Sequence, residues 1–252
     1  MRKLRIGYLY GNLMNLYGDR GNILTLQKRA EWRGIEVSVK EITVGDRLSR
    51  RDFDLYFFGG GQDQSQDVVS EDLMSGKGEI LKTEVGRGVP LLSICGGYQL
   101  LGKYYQPKSG PKIPGVGIFD SYTVAGGKRL VGNLLVEVEP GLSTELGGPK
   151  TLVGFENHSG QTYLGKGVKP LGSVMVGFGN NGKDKTEGAV VHAAVGTYMH
   201  GSLLPKNPHL SDWLLSRALE ASGQDSYLGK LRDEIELTAH AQAVSRVKSL
   251  GQ

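Results

Sequence analysis

A single cysteine, Cys95, lies where an apolar run gives way to two glycines, in Val89-Pro90-Leu91-Leu92-Ser93-Ile94-Cys95-Gly96-Gly97-Tyr98-Gln99-Leu100-Leu101. Read as a strand turning sharply into a helix, this is the pattern of a nucleophile elbow. Such a turn presents a reactive side chain at the carboxyl end of a sheet. The positive end of the following helix favours a thiolate there. The N–H of the next residue, Gly96, is free of side-chain crowding and can face a developing oxyanion. A lone cysteine is otherwise common as inert core filling; the elbow context is what favours catalysis.

A tetrahedral oxyanion needs a second donor, and loss of one such donor costs roughly a hundred- to a thousandfold in rate in other enzymes. The run Phe57-Phe58-Gly59-Gly60-Gly61-Gln62-Asp63 supplies one, as a short strand ending in three glycines. Backbone amides of Gly60, Gly61 and Gln62 are the candidates.

A cysteine nucleophile also needs a base, and the chain has five histidines. His200 ends Val195-Gly196-Thr197-Tyr198-Met199-His200-Gly201, an apolar strand followed by a loop, so it can meet Cys95 across neighbouring strand ends. His158, in Gly154-Phe155-Glu156-Asn157-His158-Ser159-Gly160, is the second candidate and suits a pocket wall. His192 falls within an apolar run and reads as a core histidine. His209 and His240 fall in terminal helical segments and read as surface residues.

These groups require a scaffold that brings strand ends together. Segments 4–10, 35–42, 53–58 and 89–94 read as strands, with helices over 23–32, 72–85 and from 97 onward. Strands alternating with helices indicate parallel βαβ units, hence an α/β, doubly wound, mainly parallel sheet flanked by helices. Between 115 and 198 the pattern changes to short β-like runs separated by glycines. This reads as an antiparallel β extension of the same sheet, or an edge subsheet. Segments 212–220 and 228–248 read as closing helices. With no repeat or linker, residues 1–252 read as one domain.

Composition narrows the classes. The 252 residues carry a net charge of +4, with 38% hydrophobic and 22% charged residues, which fits a soluble globular protein. The basic residues are scattered without an aromatic-basic stripe, so nucleic acid is not expected as a partner. One cysteine permits no internal disulfide and fits a reducing cytoplasm. No apolar stretch reaches the length of a membrane span, and the N-terminus lacks the apolar core of a signal peptide. No metal site is expected, since no Cys or His pair has ligand spacing. Gly177-Phe-Gly-Asn-Asn-Gly182-Lys183-Asp184 approaches a phosphate-binding loop but has Asp184 where the magnesium-binding hydroxyl belongs. A turn and strand follow it, with no helix to receive a phosphate. No cofactor is therefore expected on this chain.

The cysteine turn, the Gly59–Gln62 run and Thr197-Tyr-Met-His200-Gly201 together resemble the class I glutamine amidotransferases, closest to the cobyric acid synthase-like subgroup. Tyr8-Leu-Tyr-Gly-Asn12, Tyr17-Gly-Asp-Arg-Gly-Asn22, Arg129-Leu-Val-Gly-Asn133 and the His158 segment extend the resemblance over nearly the whole chain. It implies that Cys95 attacks the carboxamide of L-glutamine to form a γ-glutamyl thioester. His200 then shuttles the proton to ammonia and activates water. Gln99 would contact the substrate, and Arg129 would hold its α-carboxylate through a bidentate guanidinium.

Within the subgroup the chain is similar to glutaminase subunits serving lipid II amidation. That implies a MurT-like, Mur-ligase-type partner that binds ATP and lipid II and receives the ammonia. Many superfamily members carry a Glu two residues after the histidine; here that position is Ser202. The acid is then absent, supplied from elsewhere in the chain, or contributed by the partner. Other readings are a glutaminase for cobyrinate or another synthase, a γ-glutamyl peptidase, and a non-catalytic binding subunit.

Overall fold

The computed structural model describes residues 2–15, 19–61 and 63–250, with only the backbone of Asp63, Gln64 and Leu250. Tyr17, Gly18 and Gln62 of the motifs above lie outside these residues.

The chain opens with β1 (Lys3–Leu9), α1 (Arg20–Glu31) and β2 (Glu36–Ile42), a parallel βαβ unit in which Leu4 pairs with Val37 and Leu9 with Ile42. Ile23, Leu26 and Ala30 of α1 recur at helical spacing and are buried, so one stripe of the helix faces the sheet. Next come β3 (Leu55–Phe58), α2 (Asp63–Asp72), a π turn at Leu73–Lys77, and α3 (Gly78–Gly86). The helical stretch starts earlier than the sequence pattern indicates, directly after the glycine run. Gly76, at φ 134°, marks the irregularity at its centre.

β4 (Leu91–Ile94) leads into α4 (Gly96–Leu101). Every residue of β3 and β4 is buried. That accounts for their near-continuous apolar sequences, since central parallel strands are covered on both faces.

After α4 come β5 (Tyr104–Gln106), β6 (Ile113–Pro114), the long β7 (Ser121–Val138), α5 (Pro140–Leu146), β8 (Thr151–Leu164), β9 (Gly172–Val176) and β10 (Thr186–Glu187). These strands build a second sheet in the order β10-β9-β7-β5-β6, with β8 also paired to β7. This is the antiparallel β addition read from the sequence, formed here as a second sheet in which β7 pairs with β5, β8 and β9. Its pairing is antiparallel except for β5 with β7. β11 (Ala189–Val191) and β12 (Ala194–Thr197) return to the first sheet, whose order is β11-β12-β4-β3-β1-β2, parallel apart from β11. Helices α6 (Leu203–Lys206), α7 (Pro208–Ala221) and α8 (Glu234–Leu250) close the chain.

Three histidines sit differently from the sequence reading. His192 is exposed in the β11–β12 turn at φ 52°, because the apolar run folds back into a hairpin there. His209 and His240 are buried, since α7 and α8 pack these rings against each other at 5.5 Å between centroids.

Candidate active site

In a doubly wound sheet, ligands gather beyond the carboxyl ends of the strands near the point where strand order reverses. Here β1 lies between β2 and β3, so the order reverses beside β1. The loops leaving β1, β3, β4 and β12 carry Asp19, the glycine run, Cys95 and His200 to that one end.

Cys95 occupies the turn between β4 and α4 at φ 50°, ψ −104°. That conformation is rare for a residue with a Cβ, and strained turns of this type cluster at reactive sites. The turn is fixed by Cys95 N–H donating to the Thr197 carbonyl at 2.8 Å and by Gln99 N–H donating to the Cys95 carbonyl at 2.9 Å. The first of these ties the cysteine turn to the strand that leads to His200.

His200 lies just beyond β12 and is clamped by a two-way bridge to Phe155 of β8, with His200 N–H donating at 2.7 Å. Its ring is fully buried, and its Nδ1 is 3.6 Å from Oδ1 of the equally buried Asp19. Burial alone would pull the imidazole pKa down. The negative groups on either side, Cys95 and Asp19, outweigh burial and push it up to about 10. Asp19 sits at the start of α1, whose positive end suits a carboxylate. The start of α1 is in turn locked to the segment after His200. Asn22 Oδ1 accepts from Leu204 N–H at 2.9 Å, and a Cβ on Gly21 would meet Ser202 Oγ at 2.1 Å.

The glycine run packs against this cluster. A Cβ on Gly60 would lie 2.9 Å from His200 Cε1 and 3.4 Å from Cys95 Cβ. Gly60 N–H donates to Asp19 Oδ2 at 2.8 Å, so in this conformation it is committed to the acid. Gly61 N lies 2.9 Å from where a Gly96 Cβ would be, which places the Gly61 and Gly96 backbones side by side.

Gln99 is buried on the first turn of α4, its Nε2 donating to Tyr198 Oη at 3.1 Å and its Oε1 accepting from Gln66 Nε2 at 3.0 Å. Arg129 stands apart, exposed where the β7–β8 register shifts, and its Nε donates to Asn157. His158 is buried behind the site. Its ring stacks on Tyr198 at 3.6 Å between centroids and 8° between planes, and its Nδ1 bonds the Gly160 carbonyl.

The structure thus brings Cys95, His200, Gly60, Gly61, Gly96 and Gln99 together and leaves Arg129 at the surface. Sequence reasoning missed Asp19, Gln66 and Tyr198. The only local signal for Asp19 is an acidic residue before a helix, which reads equally as an N-cap. Among the described residues, no cluster of His, Cys, Asp or Glu could hold a metal ion, and no helix is long and apolar enough to cross a membrane.

Residues 5–208 match the model of the CobB/CobQ-like glutamine amidotransferase domain. The chain belongs to this family. It is 39% identical over 246 residues to the GatD subunit of the glutamine-hydrolysing lipid II isoglutaminyl synthase of Staphylococcus aureus, covering 98% of this chain and 97% of that one. It is 40% identical over 249 residues to the GatD subunit of Streptococcus pneumoniae, covering 98% and 92%. A cobyric acid synthase of Pelotomaculum thermopropionicum is 33% identical over 166 residues, which cover 59% of this chain but 31% of the synthase. The fold is that of a solved glutamine amidotransferase from Thermotoga maritima, with TM-score 0.54 at 16% identity over 98% of this chain and 93% of that one.

Proposed function

We propose that this chain is the glutamine-hydrolysing subunit of a lipid II isoglutaminyl synthase. It releases ammonia for a MurT-like, Mur-ligase-type partner that binds ATP and lipid II and amidates the D-glutamate of the stem peptide. The observation that carries the glutaminase chemistry is the convergence of a strained Cys95 with a buried His200–Asp19 pair at one end of the sheet. The near full-length likeness to GatD subunits favours lipid II over cobyrinate as the destination. A cytoplasmic location fits this reading, since the free Cys95 thiol persists in a reducing compartment.

In this reading the Cys95 thiolate attacks the side-chain carboxamide carbon of L-glutamine. The oxyanion forms against the N–H groups of Gly61 and Gly96, Gly60 N–H being held by Asp19. Collapse breaks the C–N bond, with His200 giving its proton to departing ammonia and leaving a γ-glutamyl thioester. His200 then takes a proton from water, whose oxygen attacks the thioester carbon. Glutamate leaves and the thiolate returns. Asp19 is the positioning residue that orients the imidazole and favours its charged form, the role of the acid in a nucleophile-base-acid triad. Gln99 contacts the substrate, and Arg129, exposed at the β7–β8 irregularity, takes its α-carboxylate.

The test is glutamate release from glutamine by wild type and Cys95→Ala, each with and without the MurT-like subunit. Release that requires Cys95 and rises with the partner is expected. No release from wild type in either state would overturn the reading.

A further inference from the structure

Gln66, on α2, is a buried glutamine that the chemistry above does not use. Its Nε2 donates to Gln99 Oε1 at 3.0 Å, and the Gln99 Nε2 donates to Tyr198 Oη at 3.1 Å. Tyr198 Oη shares a 2.7 Å hydrogen bond with Thr162 Oγ1, which shares another of 2.7 Å with Thr123 Oγ1. A hydrogen-bonded chain therefore runs from α2, through the first turn after Cys95, to β7 and β8. Gln99 is its middle link, bonded at both ends of its amide. Gly160 closes the third side, since a Cβ there would lie 2.3 Å from Gln99 Nε2.

An amide can turn over about its last bond and exchange its donor for its acceptor with almost no change of shape. What fixes the orientation of Gln99 is the polarity of its two partners. Tyr198 alone does not decide it, because a hydroxyl both donates and accepts. The Gln66 amide, anchored on a different helix, has its own sense set by a backbone acceptor: its Nε2 faces the Gly61 carbonyl at 3.5 Å as well as Gln99 Oε1, and lies 2.8 Å from where a Gly96 Cβ would be.

A packing role does not account for Gln66. Its Oε1 is buried with no hydrogen-bond partner among the described residues. Leaving a buried acceptor unmatched costs stability that an apolar side chain of the same shape would not.

We propose that Gln66 is a positioning residue for glutamine binding. It sets the donor–acceptor sense of Gln99, and so decides which groups of the substrate Gln99 receives. This rests on the glutaminase reading of the Cys95 site.

The experiment measures glutamine-dependent glutamate release by the complex with the partner subunit, comparing wild type, Gln66→Leu, Gln99→Leu and the double variant. Gln66→Leu is expected to raise KM for glutamine about tenfold, the effect of one buried hydrogen bond, with kcat changed by less than about threefold. Alkylation of Cys95 by iodoacetamide, which does not need Gln99, is expected to proceed at the wild-type rate. The double variant is expected to bind glutamine no worse than Gln99→Leu, because residues acting as one unit are not additive. Gln66→Met keeps the unbranched shape and serves if Gln66→Leu does not fold. A wild-type KM in a folded Gln66 variant, or fully additive effects of the two changes, would overturn the proposal. A wild-type complex that releases no glutamate would overturn the glutaminase reading instead.

Discussion

The Asp19 carboxylate faces two ways, with Oδ1 3.6 Å from His200 Nδ1 and Oδ2 accepting the Gly60 N–H at 2.8 Å. One acid thus touches both the base and the oxyanion turn. At 3.6 Å the contact with His200 is an ion-pair distance, longer than a hydrogen bond. Asp19→Asn retains an acceptor for Gly60 but removes the charge that stabilises an imidazolium. Its kcat for glutamate release is expected to fall about a hundredfold, within the usual range for impaired general acid–base catalysis, with little change in KM. A kcat within twofold of wild type would remove Asp19 from the mechanism.

The two glycines of the turn predict different responses to alanine. A methyl group on Gly60 meets His200 Cε1 at 2.9 Å, and that ring is fully buried and paired with Asp19. A methyl group on Gly61 meets the Met14 sulfur at 2.0 Å, the flexible part of a long side chain. Gly60→Ala is expected to lose about a hundredfold or more in kcat and not to be rescued at Met14. Gly61→Ala is expected to lose less and to recover when combined with Met14→Ala, which removes the sulfur that the new methyl group would meet. Assay of the four variants for glutamate release decides between these patterns.

Much of this arrangement was legible in the sequence, for reasons that differ by element. β3 and β4 are read directly, because strands covered on both faces are apolar along their whole length. Cys95, Gly96 and His200 are read from local turns at strand ends. What escaped is tertiary. Asp19 reaches His200 from a loop 181 residues earlier (200 − 19). The pairing of His209 with His240 depends on two helices meeting, and nothing in either segment announces it. The second sheet was visible as short β runs, but which strands pair in it, β7 with β5, β8 and β9, is a long-range property that no single segment states.

The backbone at Cys95 makes a stability prediction opposite to the usual trend. At φ 50°, ψ −104° a residue with a Cβ is strained, by about 1–3 kcal/mol, whereas glycine adopts this region freely. Cys95→Ala keeps the strain and Cys95→Gly releases it. The greater freedom of unfolded glycine offsets part of the gain, about 0.5–1 kcal/mol. Cys95→Gly is therefore expected to exceed Cys95→Ala in unfolding free energy by about 1 kcal/mol, both being inactive. Denaturant unfolding measures the difference, and a less stable glycine variant would show that the turn is relaxed.

Two buried histidines give the protein opposite responses to pH. The His200 pKa is raised to about 10, from an ordinary 6.5. The stability it contributes is full below 6.5, fades as pH rises, and is lost above about 10. His209 is lowered to about 4, first by burial and then by the neighbouring His240. Its contribution is full above 6.5 and is lost as pH falls through 4, because the unfolded chain takes up the proton first. Between the ordinary 6.5 and about 4 this contribution amounts to about 3 kcal/mol. His209→Leu removes this titration without adding charge between α7 and α8. Wild type is expected to lose stability between pH 6.5 and 4 more steeply than His209→Leu, with the two curves parallel between pH 7 and 8. Unfolding by denaturant across this range measures the slopes. Parallel curves below pH 6.5 would mean that the ring at His209 is already accessible to protons in the folded protein.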